Sequence, residues 1–511
     1  MTRSKSLTKM MKRVRTVAVA AVLLCSPAIA TADVVTDWNA IAVATSGGQN
    51  PFNQARLMAI TQLAVFEAVN AVTGKYEPYL GDVVVPAGAS ASAAAVAAAH
   101  GVLKYYFPAS AVALDAARAS SLAAIPDGSS KDGGVATGEA AAAAMIVARL
   151  NDGSAVPEFH VPASSDPGVW QLTPSCPAAG GVFLHWRNVT PFGIARASDF
   201  LADPPPALTS NEYAKDYNEV KRVGSLASTE RPQDRTDVAR FYAASSPAYV
   251  MNLAARQVAI EQGRSIEHNA RAFAVINMAI SDSLVASFGT KYHYNFWRPE
   301  TAIRAGDLDG NDKTDPDITW TPLILTPCFP SYVSNHASGS YGGAEALRRI
   351  YGAGGHAITI ANPAVPGIVL HYTKFDQITA DIDDARVYGG IHFRFDQEGG
   401  ARLGRDVGTY VYLHNLRRVS PASGTATTIS AFGSGTNENQ FLIEGTNMTC
   451  PCNGVARSEP GGDFIQEIQV QSVGASAEFG NVQGAVVNVI TKQGSDRLDR
   501  HVAPEPCIAR A

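Results

Sequence analysis

Asn53-Gln-Ala-Arg-Leu-Met-Ala-Ile-Thr-Gln-Leu-Ala-Val-Phe-Glu-Ala-Val-Asn-Ala-Val72 places apolar side chains at three- and four-residue intervals, Leu57, Ile60 and Ala64 among them. That interval puts them on one face of an α-helix, and no strand shares it. Outward from this stretch the same reading repeats. The alanine-rich runs 88–105, 109–124 and 133–150 are expected as helices, broken by Pro108, by Pro126-Asp-Gly128 and by Asp132-Gly-Gly134. Residues 155–210 are rich in proline and aromatics and show little periodicity, so a long wrapping loop is expected there. Helical spacing resumes over 211–224, 234–244, 247–262 and 264–288, then over 335–351, 373–388 and 395–416, with a turn-rich stretch at 306–333. No repeat with a period of 20–50 residues is visible. Residues 33–416 therefore read as one all-α domain, a large helical bundle.

The flanks differ in character. Lys5, Lys9, Lys12, Arg13 and Arg15 precede an apolar run, Val17–Leu24, and Ala30-Thr31-Ala32 has the form of a cleavage site. Residues 1–32 are expected to be an export signal, which places the mature chain in the periplasm or outside the cell. After it no run of about 18 consecutive apolar residues is found, so no transmembrane span is expected. Residues 417–437 are rich in Ser, Thr and Gly and read as a linker. In 438–496, Phe464–Val473 alternates at period two and Ala485–Thr491 is β-branched, so a short β-containing appendage is expected, followed by a disordered tail at 497–511.

Charged residues make up 17% of the 511 and the formal net charge is −5. That balance gives no reason to expect nucleic acid as a partner. Five cysteines follow the signal, at 176, 328, 450, 452 and 507. An oxidising compartment permits a bond such as Cys176–Cys328, although spacing alone does not assign it. Cys450, Cys452 and Cys507 do not have the spacing of a zinc site.

Chemistry concentrates in three segments. They are Lys291-Tyr-His-Tyr-Asn-Phe-Trp-Arg298-Pro299, Pro330-Ser-Tyr-Val-Ser334-Asn335-His336 and Arg386-Val-Tyr-Gly-Gly-Ile-His392. Lys291 and Arg298 are two helical turns apart, although Pro299 argues for a segment extended or broken near its end. Arginine can place two parallel donors on neighbouring oxyanion oxygens, whereas lysine acts as a point charge. Ser334-Asn335-His336 opens a helix, whose free N–H groups and partial positive charge favour an anion; Ser334 is expected to cap that helix or to donate its hydroxyl. Gly389-Gly390 is expected to turn the chain so that Arg386 and His392 both face inward.

Together the segments resemble the signature of the vanadium-dependent haloperoxidases and of the type-2 phosphatidic acid phosphatase superfamily that shares their fold. That signature is Lys, six residues, Arg-Pro; then Pro-Ser-Gly-His; then Ser-Arg, five residues, His. Tyr292–Glu300 looks like the secreted bacterial haloperoxidase branch, and the similarity runs from about Asp37 to Leu416. The resemblance implies that Lys291, Arg298 and Arg386 neutralise the oxygens of vanadate, or of phosphate as a competing occupant, with Ser334 and the Asn335 backbone N–H as further donors. It implies His392 as the residue that ligates vanadium or attacks phosphorus, and His336 as the general acid–base. Two departures stand out: Asn335 occupies the glycine position of the pattern and Ala385 the serine position.

Three functions follow as expectations. The first is a haloperoxidase that takes hydrogen peroxide and a halide. The second is a metal-free acid phosphatase that takes a phosphate ester through a phosphohistidine. The third is an anion-binding or envelope-associated protein whose catalysis is impaired by Asn335; a homodimer is also among the expected assemblies. Taken singly, each residue has a plainer reading. Arg298-Pro299 would be surface, His336 and His392 satisfied histidines, His293 and Trp297 packing as readily as pocket. Asp282 would be an exposed helix residue or a carboxylate orienting a cation. Asp307–Asp312 reads as a solvated turn more readily than a calcium loop, and Asp381, Asp383 and Asp384 as acids early in a helix. Separately, Asn439–Asn447 and Ala475–Ser495 resemble the end of a plug domain from TonB-dependent outer-membrane receptors, without the barrel that normally follows.

Overall fold

The computed structural model describes residues 33–81, 83–419, 440–449, 465–471 and 486–491. The expected export signal, most of the linker, the terminal tail and Cys450, Cys452 and Cys507 lie outside the described residues. The chain divides into two compact units, residues 1–418 and 419–511.

The first unit is a helical bundle. Its helices are α1 (Val34–Ser46), α2 (Pro51–Thr73), α3 (Ala91–Tyr106), α4 (Ala111–Ala123), α5 (Ser129–Ala148), α6 (Asn211–Val223) and α7 (Gln233–Ala243). They continue with α8 (Pro247–Gln262), α9 (Ile266–Tyr294), α10 (Pro299–Arg304), α11 (Asn335–Tyr351), α12 (Phe375–Tyr388) and α13 (Arg394–His414). Local chemistry sets many of the ends. Asn50, Ser90, Ser210, Ser246 and Ser334 each accept a first-turn backbone N–H, and Pro51, Pro247 and Pro299 stand at the first helical position. Residues 155–210 contain only short 3₁₀ turns and wrap the bundle, tied by a disulfide from Cys176 to Cys328.

Four departures from the sequence reading are informative. The expected break at Asp132-Gly-Gly134 is absent, because α5 runs through it. A Cβ on Gly134 would stand 2.3 Å from the Ser90 carbonyl, so the glycines there allow α5 to approach the start of α3. An antiparallel hairpin, β1 (Gly354–Ala361) with β2 (Val369–Lys374), interrupts the helices, its Ile358 and Ile360 turned inward at period two. By length and hydropathy α2 and α9 could each cross a membrane, contrary to expectation, yet 89% and 94% of their apolar windows are buried in the bundle. Such helices are apolar all round because protein surrounds them. Asp381, Asp383 and Asp384 lie well inside α12 and not in its first turn: Asp381 and Asp384 pair with Arg235, Asp384 also with Arg394, and Asp383 accepts from the Tyr341 hydroxyl.

Three helices position the site. α11 packs against both α9 and α13. A Cβ on Gly342 would lie 2.3 Å from the Ser283 hydroxyl oxygen of α9, and one on Gly404 of α13 would lie 2.3 Å from the Ser338 carbonyl of α11. Glycine at these two points sets how closely the helices approach. In the second unit, β3 (Gln440–Ile443), β4 (Thr446–Asn447), β5 (Ile465–Gln471) and β6 (Val486–Thr491) form a sheet in the order β4-β3-β6-β5, with β3 and β6 parallel.

Candidate active site

α9 continues through Lys291 to Tyr294, and Asn295 ends it in the left-handed conformation (φ 49°). The chain then reverses, and Arg298 caps α10 from an extended backbone with Pro299 behind it. The Pro330–His336 segment, which includes a cis Tyr332–Val333 peptide bond, leads into α11. Arg386 lies in the last turn of α12, and Gly390 (φ 80°) turns the chain towards His392, just ahead of α13.

These elements enclose a cavity of about 330 Å³. Asn335, His336, Arg386 and His392 line it, opposite an apolar wall that includes Phe52, Phe183, Leu284, Leu325 and Phe329. Lys291, Arg298 and Ser334 are fully buried one layer behind. Lys291 Nζ donates to the carbonyls of Pro330 (2.8 Å) and Ser331 (2.7 Å). Arg298 Nε donates to the Phe329 carbonyl and Nη1 to that of Ile391, both at 2.8 Å, and Nη1 also reaches His392 Nε2 at 3.0 Å. Both cations lie over the Phe329 ring, 5.2 and 5.0 Å from its centroid. Of the two roles expected for Ser334, the structure displays the cap: its hydroxyl accepts from the Ala337 N–H at 3.3 Å.

The hydrogen bonds determine the His392 tautomer. A guanidinium only donates, so Nε2 must be the unprotonated acceptor and Nδ1 carries the proton. Nδ1 donates to Asp396 Oδ2 at 2.8 Å, and the same oxygen accepts the Ser331 hydroxyl (2.5 Å) and the Phe393 N–H (3.1 Å). His336 Nε2 donates to the Ser245 carbonyl at 3.2 Å, which leaves Nδ1 as its lone-pair nitrogen.

Burial and mutual repulsion dominate the electrostatics. Burial lowers Arg298 to about 9 and Arg386 to about 10, so both stay charged at neutral pH. Burial, reinforced by Arg298, pulls Lys291 well below its ordinary value. Both imidazoles are held neutral, His336 by burial and then Arg386, His392 by burial and then Arg298 and Lys291. Burial pushes the Asp396 carboxyl up, while Ser331 and the cations oppose it.

Around this cavity four buried donor atoms have no acceptor: Nε and Nη1 of Arg386, Nη2 of Arg298 and Nδ2 of Asn335. Unpaired buried donors, and unpaired charge above all, are costly. A small oxyanion would satisfy donors of this kind, and His392 Nε2, whose lone pair now accepts from Arg298 Nη1, lies among the same groups. The residues therefore fit a vanadate or phosphate group.

Other candidates fall elsewhere. His293 is exposed and Trp297 is core, and neither lines the cavity. Asp282 is neither exposed nor paired with a site cation; its carboxylate receives the backbone N–H groups of Phe192, Gly193 and Ile194 and holds the wrapping loop. Asp309 accepts from the Thr314 hydroxyl and the Asn311 N–H, closing a turn. Three participants were missed in the sequence reading: Asp396, Ser331 and Phe329. Asp396 had a findable signal, an acid four residues after His392 at the start of a helix, where it can turn back to the imidazole. Ser331 and Phe329 had none, because their roles depend on how the Pro330 segment folds.

Residues 271–421 match the family model of the second helical-bundle domain of VCPO. The vanadium chloroperoxidase of Curvularia inaequalis is 28% identical over 186 residues, which is 30% of this chain and 30% of that protein. The chain is also 30% identical over 99 residues to the TonB-dependent transporter Oar of Myxococcus xanthus, 19% of this chain and 9% of the transporter. Among solved structures, a bacterial vanadium-dependent iodoperoxidase superposes with a TM-score of 0.64 at 25% identity, covering 76% of this chain and 97% of that one. A bacterial vanadium-dependent chloroperoxidase in its apo form gives 0.59 at 17% identity, covering 72% and 94%. The bundle thus has the helical fold of the vanadium haloperoxidases.

Proposed function

We propose that this chain is an exported vanadium-dependent haloperoxidase-like enzyme that oxidises halide with hydrogen peroxide at a vanadate held by His392. The observation that carries the reading is the set of unpaired buried donors on Arg386 and Asn335 at one cavity that His392 also lines, with a further unpaired donor on Arg298 in the layer behind. Similarity to vanadium chloroperoxidase and iodoperoxidase supports the choice of vanadate. The disulfide and the basic leader support export.

Bound vanadate would supply a Lewis-acidic centre at which peroxide is activated towards halide. The chain's own residues do the rest. Arg386 and Arg298 neutralise the oxyanion, strongly so in a site walled by apolar side chains. Asp396 keeps the proton on His392 Nδ1, so that Nε2 presents a lone pair, which would pass from Arg298 Nη1 to a ligated vanadate. His336 accepts and returns a proton at Nδ1, and a bound anion would oppose the burial and the Arg386 repulsion that now hold this imidazole neutral. Phe52, Phe183 and Phe329 limit water at the site.

The neutral His392 Nε2 also favours a second reading, an acid phosphatase. In that reaction Nε2 attacks phosphorus, an N–P bond forms as the ester P–O bond breaks, and the leaving alkoxide takes a proton from Nδ1 of a His336 that the bound dianion has brought to its protonated form. Water then cleaves the N–P bond and returns that proton to Nδ1. Assays side by side on the purified protein separate the two. Peroxide-dependent halogenation of a phenolic dye, present with vanadate and lost with phosphate, is expected. Hydrolysis of a chromogenic phosphate ester that vanadate inhibits, with no halogenation under any halide, would replace the first reading by the second. Anion binding with neither turnover would leave a binding protein.

A further inference from the structure

Resting on the anion-site reading above, we propose that the Asn335 side-chain amide donates a hydrogen bond directly to the bound oxyanion and helps set the affinity of the site. Asn335 is the first residue of α11 and is 4% exposed. It lines the cavity beside His336, Arg386 and His392. Its Oδ1 accepts from the Ser287 hydroxyl, and its Nδ2 is buried with no acceptor. Ser287 stands one helical turn before Lys291 on α9, so one helix carries both an anchor for the amide and a cation of the site.

The orphaned Nδ2 is the informative atom. A side chain needed only to pack α11 on α9 has no use for an unpaired buried donor at a cavity that the Arg386 guanidinium also lines, which is unfavourable without an acceptor. An anion in the cavity removes that cost and takes the amide hydrogen alongside those of Arg386. At this position the family pattern has glycine, which offers only its backbone N–H. The side chain that departs from the pattern therefore adds a donor to the anion's shell and is not an obstruction to it.

The test is equilibrium binding of orthovanadate and of inorganic phosphate to the full chain, by calorimetry and by the vanadium NMR signal of the bound anion. Asn335→Gly and Asn335→Ala should weaken both anions about tenfold to a hundredfold, the range of a hydrogen bond to a charged group. Asn335→Asp should weaken them further. Ser287→Ala, which frees the amide without deleting it, should have a smaller effect in the same direction. Thermal melts accompany each variant, and Asn335→Gly covers the case in which alanine does not fold. Unchanged or tighter binding by Asn335→Gly, or a lowered melting temperature with wild-type affinity in Asn335→Ala, overturns the assignment while leaving the anion site intact. Failure of the wild-type protein to bind either anion overturns both.

Discussion

Asp396 shows how much one side chain can organise. A single carboxylate oxygen receives His392 Nδ1, the Ser331 hydroxyl and the Phe393 N–H, which couples the imidazole to the start of α13 and to the Pro330 segment. Replacing Asp396 by Asn leaves the shape but removes the charged acceptor that holds His392 in its Nδ1–H tautomer. We expect vanadate affinity or turnover to fall about 10- to 100-fold, as for other groups that orient a ligand; steady-state assays and vanadate titration check this. His392→Ala removes the lone-pair nitrogen itself. It should abolish vanadate-dependent turnover while the melting temperature stays within a few degrees, and retained turnover would move the chemistry to another residue.

At the scale of elements, the site depends on the distance between helices. Lys291 comes from α9, Asn335 and His336 from α11, and Asp396 from α13; these helices meet where Gly342 and Gly404 admit backbone and hydroxyl oxygens. Gly342→Val would force atoms into space held by Ser283 and the Ala279 carbonyl. The expected loss is about 1–3 kcal/mol or more, read by denaturant unfolding, together with weaker anion binding as α11 is displaced. The disulfide acts on a different element. Cys176–Cys328 ties the 155–210 loop to the residues just before Phe329, closing 152 residues of chain. Cys328→Ser should cost about 2–5 kcal/mol in the oxidised protein, and the difference should vanish in reducing buffer.

Across the whole molecule, stability should respond to buried acids that do not line the cavity. Burial raises Asp383 from the ordinary carboxyl value to about 7. The sign follows from linkage: a carboxyl raised on folding contributes stability that is complete below pH 3.8 and is lost as pH rises through 7. Asp383→Asn should therefore gain melting temperature relative to the parent between pH 5 and pH 8. A gap that does not change with pH would mean that Asp383 titrates as an ordinary carboxyl. The division at Arg418 gives a second expectation. A chain ending there should melt and bind vanadate as the full chain does, and loss of binding would assign the second unit a part in the site.

Much of the bundle was legible in the sequence. Helical spacing placed α8 at 247–262 and α11 at 335–351, the latter with Ser334 as its expected cap, because these signals act within one or two turns of chain. The spaced cations and histidines pointed to one anion, since such groups are costly together without it. Other features were hidden because they depend on neighbours distant in sequence. The glycines of α5 read as a break until α3 lay against them, and Asp282 read as a carboxylate orienting a cation or as an exposed helix residue until the loop at 192–194 covered it. Which donors would face the cavity and which would spend their hydrogens on carbonyls, as Lys291 does and Arg386 does not, follows from where the Pro330 segment and α12 come to rest. Local interactions specify elements one by one; only packing decides which polar atoms are left without a partner, and here those atoms define the site.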